Sequence, residues 1–418
     1  MVANAPKLAE KWPPTSWDVA TLTLVARYFH PSLAVARAQM STARAGIISA
    51  GARPNPAFGF TPTYAADPAL GLSPWILGLT FDLPIETAGK RGLRLAVARH
   101  RIDAASLHAT EIAWQVRHRV RTSLVELQAA TQSADILRRQ QALQNQTVAL
   151  LAARLQAGQS SRTEVQLVRV AAARTALDLS EAHKQISQAR VRLAEALGLP
   201  VNAIADIAWS YSTLNPLPIA EIGTSRRETL LNRTDMLGAL AEYAASQSAL
   251  QLEIAKQYPD LNLGPGYAWD QGENKFSLGV SLSLPLFNHN EGPIAEAEAH
   301  RHEAAAAFTA VQARAIAGID AAVAGYRDAL SKLATADRLL NDQRERMNSV
   351  QALFAAGAAD RVELLQAQTE LGLQALARAQ TRAEAQLALG QLDAALQRPA
   401  ATTDTPGIAG AVINPEAE

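Results

Sequence analysis

Pro74-Trp-Ile-Leu-Gly-Leu-Thr-Phe-Asp-Leu-Pro84 alternates strictly: Trp75, Leu77, Leu79, Phe81 and Leu83 point one way, Ile76, Gly78, Thr80 and Asp82 the other. Residues 275–287 repeat the pattern, with Phe276, Leu278, Val280, Leu282, Leu284 and Leu286 set against Ser277, Gly279, Ser281 and Ser283. Period-two alternation of this length predicts strands. Each has an upstream partner: Phe58, Phe60 and Tyr64 before the first, and Leu261, Leu263, Tyr267 and Trp269, opposite Asn262, Gly264, Gly266 and Asp270, before the second. Turn-rich links, Ala66-Asp-Pro-Ala-Leu-Gly71 and Asp270-Gln-Gly-Glu-Asn274, close two β-hairpins with strands at about 56–66 and 74–84, then 259–270 and 275–287. About ten residues, apolar on one face and small or polar on the other, is the pattern of a membrane-spanning strand. A sheet packed on helices alternates in the same way. Four strands cannot close a barrel, and lipid does not tolerate an open edge. A membrane reading therefore requires several chains; three would supply 12 strands, an even number.

Proline placement organises the rest. None falls between Pro84 and Pro200 or between Pro293 and Pro399, and both windows are rich in the helix formers Ala, Leu, Gln, Glu and Arg. Apolar residues step by three and four: Ile102, Ala105, Ala109, Ile112, Val116, Val120, Leu124 and Leu127 in one window; Ala304, Phe308, Val311, Ala315, Ile319, Ala322, Tyr326 and Leu333 in the other. This predicts amphipathic helices with coiled-coil-like packing. The first, from about 89 to 157, would span roughly 100 Å, too long for a globular helix. Gly158 breaks it, Ser161 or Thr163 can cap a return helix at about 161–197, and Glu164 sits in its first turn. The second window repeats this with a helix at about 291–356, Gly357, and a return at about 360–397. The offset stays near 200 residues, so the chain is an internal duplication: repeats at 1–199 and 226–398, a linker at 200–225, and a tail at 399–418. The expected fold is mainly α with a small β part.

Composition limits the function. No cysteine among 418 residues excludes disulfides, thiolate metal sites, a cysteine nucleophile and lipid attached through cysteine. Equal numbers of basic and acidic residues, 39 each, argue against nucleic acid as partner. No unbroken apolar run reaches the length of a transmembrane helix. The 86 alanines, with only 5% aromatics, favour long, closely packed helices over a large globular core. No phosphate loop, nucleophile arrangement or paired catalytic carboxylates point to an enzyme, and no cofactor is expected. His300 and His302 are two apart on a predicted helix and do not share a face, so no metal site is expected there. Met1 to Trp17 lacks a basic stretch followed by an apolar core and does not read as a signal peptide.

Hairpin, long helix, glycine tip and return helix, all given twice, resembles the outer membrane efflux protein family, the TolC-like channels of tripartite exporters. Arg53-Pro-Asn-Pro56, Phe81-Asp-Leu-Pro-Ile-Glu-Thr-Ala-Gly-Lys-Arg91, Tyr267-Ala-Trp-Asp-Gln-Gly272, Leu284-Pro-Leu-Phe-Asn288 and Gly292-Pro-Ile-Ala-Glu-Ala-Glu298 resemble the branch serving resistance-nodulation-division pumps, including cation exporters. Arg154-Leu-Gln-Ala-Gly158 and Glu363-Leu-Leu-Gln-Ala-Gln368 resemble its tip phrases. The resemblance implies a homotrimer with a 12-stranded barrel in the outer membrane. Its helices would form a tunnel across the periplasm, with 200–225 and 398–418 in a belt midway. The partners implied are a periplasmic adaptor (membrane fusion) protein, an inner-membrane pump and outer membrane lipid. A protein in that location would have had a leader removed from this chain.

On that reading Trp75, Leu77, Leu79, Phe81, Phe276, Leu278, Val280 and Leu282 meet lipid, while Asp82, Asn262, Asp270, Ser281 and Ser283 face water. Trp75, Tyr267 and Trp269 suit an interfacial belt. The tips, where gating and adaptor contact are expected, carry Arg154, Gly158, Glu164, Gly357, Asp360, Arg361 and Glu363. Glu164 and Glu363 each fall six residues after a tip glycine, where the family places acids that ring the constricted end; an acid in a helix's first turn is equally a capping feature. Gln366 and Leu167 stand where a second acid is often found. Arg154 is placed to latch a closed tip, and Asp360 and Arg361 are the charges beside the other one. The alternatives are a drug, solvent or type I secretion channel, a periplasmic adaptor, or a coiled-coil scaffold. An adaptor would have one hairpin, and a scaffold would have no use for the strands.

Overall fold

The structure, a computed structural model, describes residues 17–68, 70–212, 214, 230–270 and 272–397. The tail at 399–418 and residues 213 and 215–225 of the linker expected at 200–225 lie outside these. The elements are α1 (Val19–Phe29), α2 (Pro31–Gly51), β1 (Ala57–Tyr64), β2 (Trp75–Ile85), α3 (Lys90–Gln156), α4 (Arg162–Leu197), a 3-10 turn (Val201–Ile204), α5 (Thr234–Ala255), β3 (Leu261–Asp270), β4 (Glu273–Leu282), α6 (Glu291–Ala355) and α7 (Arg361–Leu396). The chain divides into two compact units: residues 1–35, 109–233 and 313–418, and residues 36–108 and 234–312.

The sheet lies in the second unit. Its order is β1-β2-β3-β4, all antiparallel, so the two expected hairpins join into one sheet through β2 and β3. The register carries the alternation across all four strands. Phe60, Leu79, Tyr267 and Phe276 stand opposite one another in turn, as do Ile85, Leu261 and Leu282. Directly opposed residues share a face, so one face is apolar except for Asn274 opposite Trp269 near the β3–β4 turn, and the other carries Gly59, Thr80, Gly266 and Ser277. β4 ends at Leu282 rather than near residue 287. Pro285 cannot donate to a ladder and biases its predecessor, and Leu284 instead accepts from the Leu286 N–H in a tight turn.

In this unit α3 is anchored near its start. Glu86 takes two bonds from the Arg94 guanidinium, the Nη2–Oε2 one at 2.9 Å, and Arg91 Nε donates to the Gly51 carbonyl at 2.7 Å. Asn290 Nδ2 donates to the Glu253 carbonyl at 2.8 Å just before α6. Ala88 and Asn290 both have left-handed backbones, at φ 54° and 62°, so each strand-to-helix passage turns in the same way.

The first unit is helical. Val116, Val120, Leu124 and Leu127 of α3 pack with Val19 and Leu22 of α1, Leu193 and Leu197 of α4, and Ile204. Tyr326 of α6, fully buried, packs with Leu389 and Leu392 of α7. Polar contacts show the order. Arg192 of α4 meets Glu126 of α3 at 2.7 Å; His118 of α3 donates to the Gly390 carbonyl of α7 at 3.1 Å; Arg378 of α7 meets Asp337 of α6 at 2.7 Å. The layer thus runs α4–α3–α7–α6, with α3 and α7 joining the two repeats. Small residues permit close approach: Ala113, Ala189, Ala196 and Ala385 are all buried, and a Cβ added to Gly390 would lie 3.3 Å from the Arg121 side chain. Among the described residues α6 contains the one stretch long and apolar enough by composition to cross a membrane. It is alanine-rich, and only 11% of it is buried.

Two histidines tie this unit to pH. Burial pushes the His118 imidazole below its ordinary pKa, and the nearby Arg121 and Arg119 add to this against the Gly390 bond. Burial, then Arg119, lowers His30 in the same direction, against Glu195. A histidine lowered on folding stays neutral while the unfolded chain takes up protons, so stability falls as pH drops below the ordinary value of 6.5. Thermal unfolding followed from pH 7.5 to 5.5 is expected to show a falling midpoint, with the slope reduced in His118→Gln.

Candidate functional site at the hairpin tips

Both tips are built alike at the turn. Gly158 and Gly357 adopt φ 74° and 75°, a left-handed conformation in which glycine carries no Cβ penalty. Gly158 N–H donates to the Leu155 carbonyl at 3.1 Å and Gln159 N–H to Arg154 at 2.8 Å; Gly357 donates to Phe354 at 3.0 Å and Ala358 to Leu353 at 2.8 Å. This is the paired closure that satisfies the last carbonyls of a helix.

The caps that follow differ. At the first tip Ser161 caps α4, its Oγ accepting from Glu164 N–H at 3.2 Å while Glu164 Oε2 accepts from Ser161 N–H at 3.0 Å and from Ser160 Oγ at 2.6 Å. These bonds, Ser160's foremost, hold the Glu164 carboxyl below its ordinary range. At the second tip Asp360 caps α7, accepting from Val362 N–H at 2.6 Å and Glu363 N–H at 2.9 Å. Its other oxygen takes Arg154 Nη1 of α3 at 2.9 Å. The Glu363 amide, then Arg154, hold the Asp360 carboxyl low. The structure thus brings Arg154 and Asp360 together, joining the two tips. Arg361 and Glu363 are exposed, and Glu363 makes no side-chain bond among the described residues. Of the two acids six residues past the glycines, one is spent on capping and one is free. The first was legible in Ser161-x-x-Glu164, a capping-box spacing. The Arg154–Asp360 pair, 206 residues apart, left no local signal.

At the sheet, Trp75, Leu77, Leu79, Phe81, Phe276, Leu278, Val280 and Leu282 lie on the apolar face, all exposed, from 37% for Leu77 to 82% for Phe276. Asp82, Asn262, Asp270 and Ser281 lie on the other face, where Asp270 binds Lys275 at 2.5 Å. Ser283 falls beyond the end of β4. Tyr64 and Trp75 meet edge to face at 5.2 Å, and Tyr267 lies 5.4 Å from Phe276, so aromatics gather toward the hairpin-turn end of the apolar face. No group of three metal-ligating side chains occurs among the described residues.

The sheet and the duplicated tips define a channel-type fold, and the chain belongs to the outer membrane efflux protein family, whose model matches residues 25–199 and 226–397. Among curated relatives, the chain is 28% identical over 220 residues to the cobalt-zinc-cadmium resistance protein CzcC of Cupriavidus metallidurans, covering 50% of each chain. It is 24% identical over 258 residues to the nickel-cobalt-cadmium resistance protein NccC of Alcaligenes xylosoxydans, covering 61% of this chain and 56% of that one. The chain thus spans about half the length of these relatives. The fold is that of the outer membrane protein VceC of Vibrio cholerae, with TM-score 0.74, 21% identity, and 90% of this chain and 95% of that one covered. CusC gives 0.73 at 18% identity, covering 92% and 94%.

Asp360→Ala should speed hydrogen exchange at the Val362 and Glu363 amides by about fivefold, the effect of losing roughly 1 kcal/mol of capping. Arg154→Met should leave those amides unchanged.

Proposed function

We propose that the chain is the exit duct of a tripartite efflux system: it forms a homotrimer in the outer membrane, extends into the periplasm, and passively conducts what an inner-membrane resistance-nodulation-division pump and a periplasmic adaptor deliver. The observation that carries this is the four-stranded sheet, apolar along one face and open at both edges among the described residues. Such a sheet is stable in lipid only when other copies pair its edges and close the ring. The apolar face would meet lipid, the aromatics forming its girdle, and the face with Asp82, Asn262, Asp270 and Ser281 would line the lumen. Membership of the efflux family supports the same reading.

Similarity to CzcC and NccC favours divalent metal cations as cargo. A second reading, an organic solute, draws on 26% identity over 241 residues to the pyoverdine export protein OpmQ of Pseudomonas aeruginosa. The tips would contact the adaptor, and the Arg154–Asp360 pair would hold the closed state. Being exposed, that pair contributes at most about 1 kcal/mol, which suits a latch that a partner must release. No side-chain arrangement described above performs covalent chemistry.

Detergent extraction of outer membranes should yield a heat-sensitive trimer; a soluble monomer or dimer would sink the channel reading. In a closed ring Glu363, the acid left free, would appear three times at the narrow end. Glu363→Ala is expected to weaken block by divalent cations in single-channel recordings, while Glu164→Ala changes it less. An unchanged current-voltage curve with divalent cations would remove that role.

A further inference from the structure

Three joints hold the sheet, and they are unequal. β1–β2 and β3–β4 are closed by their own short turns, whereas β2–β3 joins strands from different repeats. That joint is also the least specified. Its pairing runs from Ile76↔Asp270 to Thr80↔Gly266, breaks opposite Pro265, and resumes from Leu83↔Leu263 to Ile85↔Leu261. Pro265 has no N–H to give, and Pro84 lies within the resumed part. Gly264 and Gly266 flank Pro265, and glycine-rich strands hold register weakly. A slip of one residue would turn the β3–β4 hairpin over relative to β1–β2, putting Ser277 and Ser281 on the same face as Leu79 and Phe81.

Directly past the last pair lies a set of contacts the channel reading leaves unused. Lys90 Nζ donates to Asp260 Oδ1 at 2.7 Å and to the Tyr258 carbonyl at 2.6 Å. Thr87 N–H donates to the same Asp260 oxygen at 2.9 Å, and Thr87 Oγ1 donates to the Pro259 carbonyl at 2.6 Å. Thr87 and Lys90 follow β2; Asp260 immediately precedes β3. The Lys90 side chain is 8% exposed, so its charge has little water to fall back on. A one-residue slip moves Asp260 about 3.4 Å along the strand. It would leave a buried ammonium without its carboxylate, an arrangement far worse than the paired one.

We infer that Lys90, Thr87 and Asp260 form a register lock for β2–β3, turning a one-residue pairing error into an unpaired buried charge. The lock concerns the sheet alone; its consequence, that one face is apolar toward lipid, rests on the channel reading.

The chain has no cysteine, so introduced pairs report register without interference. In the full-length protein in detergent, Leu79→Cys with Tyr267→Cys reports the native pairing, and Leu79→Cys with Ala268→Cys reports a one-residue slip. Lys90→Met is expected to lower the native disulfide relative to the slipped one by about tenfold. Lys332→Met, which removes the exposed pair with Glu384, should move neither. If Lys90→Met fails to accumulate, the Leu79→Cys/Tyr267→Cys disulfide should restore it, and Leu263→Cys/Val280→Cys, which lies within the β3–β4 hairpin, should not. Unchanged yields in Lys90→Met overturn the lock, as does rescue by both disulfides or by neither. Absence of conductance in the wild-type protein, with its native pairing intact, would count against the channel reading instead.

Discussion

A sheet with one apolar face and two unpaired edges is the constraint on which the rest of the molecule depends. Backbone N–H and C=O groups along β1 and β4 need partners, and Phe276, Leu278 and Val280 need something other than water against them. Neither need is met among the described residues of one chain. On the proposed reading, closure by further copies would meet the first and lipid the second. Long helices, small residues at the contacts and duplicated tips then follow as the means of extending a ring of strands into a conduit.

Duplication gives the structure its economy, and divergence gives it polarity. Both tips use the same glycine turn, yet one acid closes a capping box and its counterpart is free. Both strand-to-helix passages use a left-handed residue, Ala88 or Asn290. One is held by Lys90, Thr87 and Asp260, while the other is tied by Asn290 to Glu253. Six similar hairpins in a trimer would therefore present three of one kind and three of another.

Much of this was legible in the sequence. Alternation placed Leu79, Phe81 and Phe276 on one face, three-and-four spacing placed Val116, Val120 and Leu124 in a core, and the two glycines marked the tips. These signals are local periods, set by backbone geometry. What was not legible joins residues far apart in the chain. Arg154 with Asp360 and Lys90 with Asp260 are separated by 206 and 170 residues, and no spacing rule reaches that far. The alternation also overran β4, because Leu284 and Leu286 keep the apolar pattern while Pro285 ends the ladder.

The self-satisfied glycine turns have a mechanical corollary. Because each closes its own carbonyls, a tip behaves as a stiff end-piece and cannot widen by fraying. A displacement at the tip is therefore carried into helices of 67 and 65 residues. On arms of roughly 100 Å, a tilt of about 3° at one end moves the other by about 5 Å. In the proposed channel, releasing the latch at a tip would thus need only a small tilt of the arms that carry it.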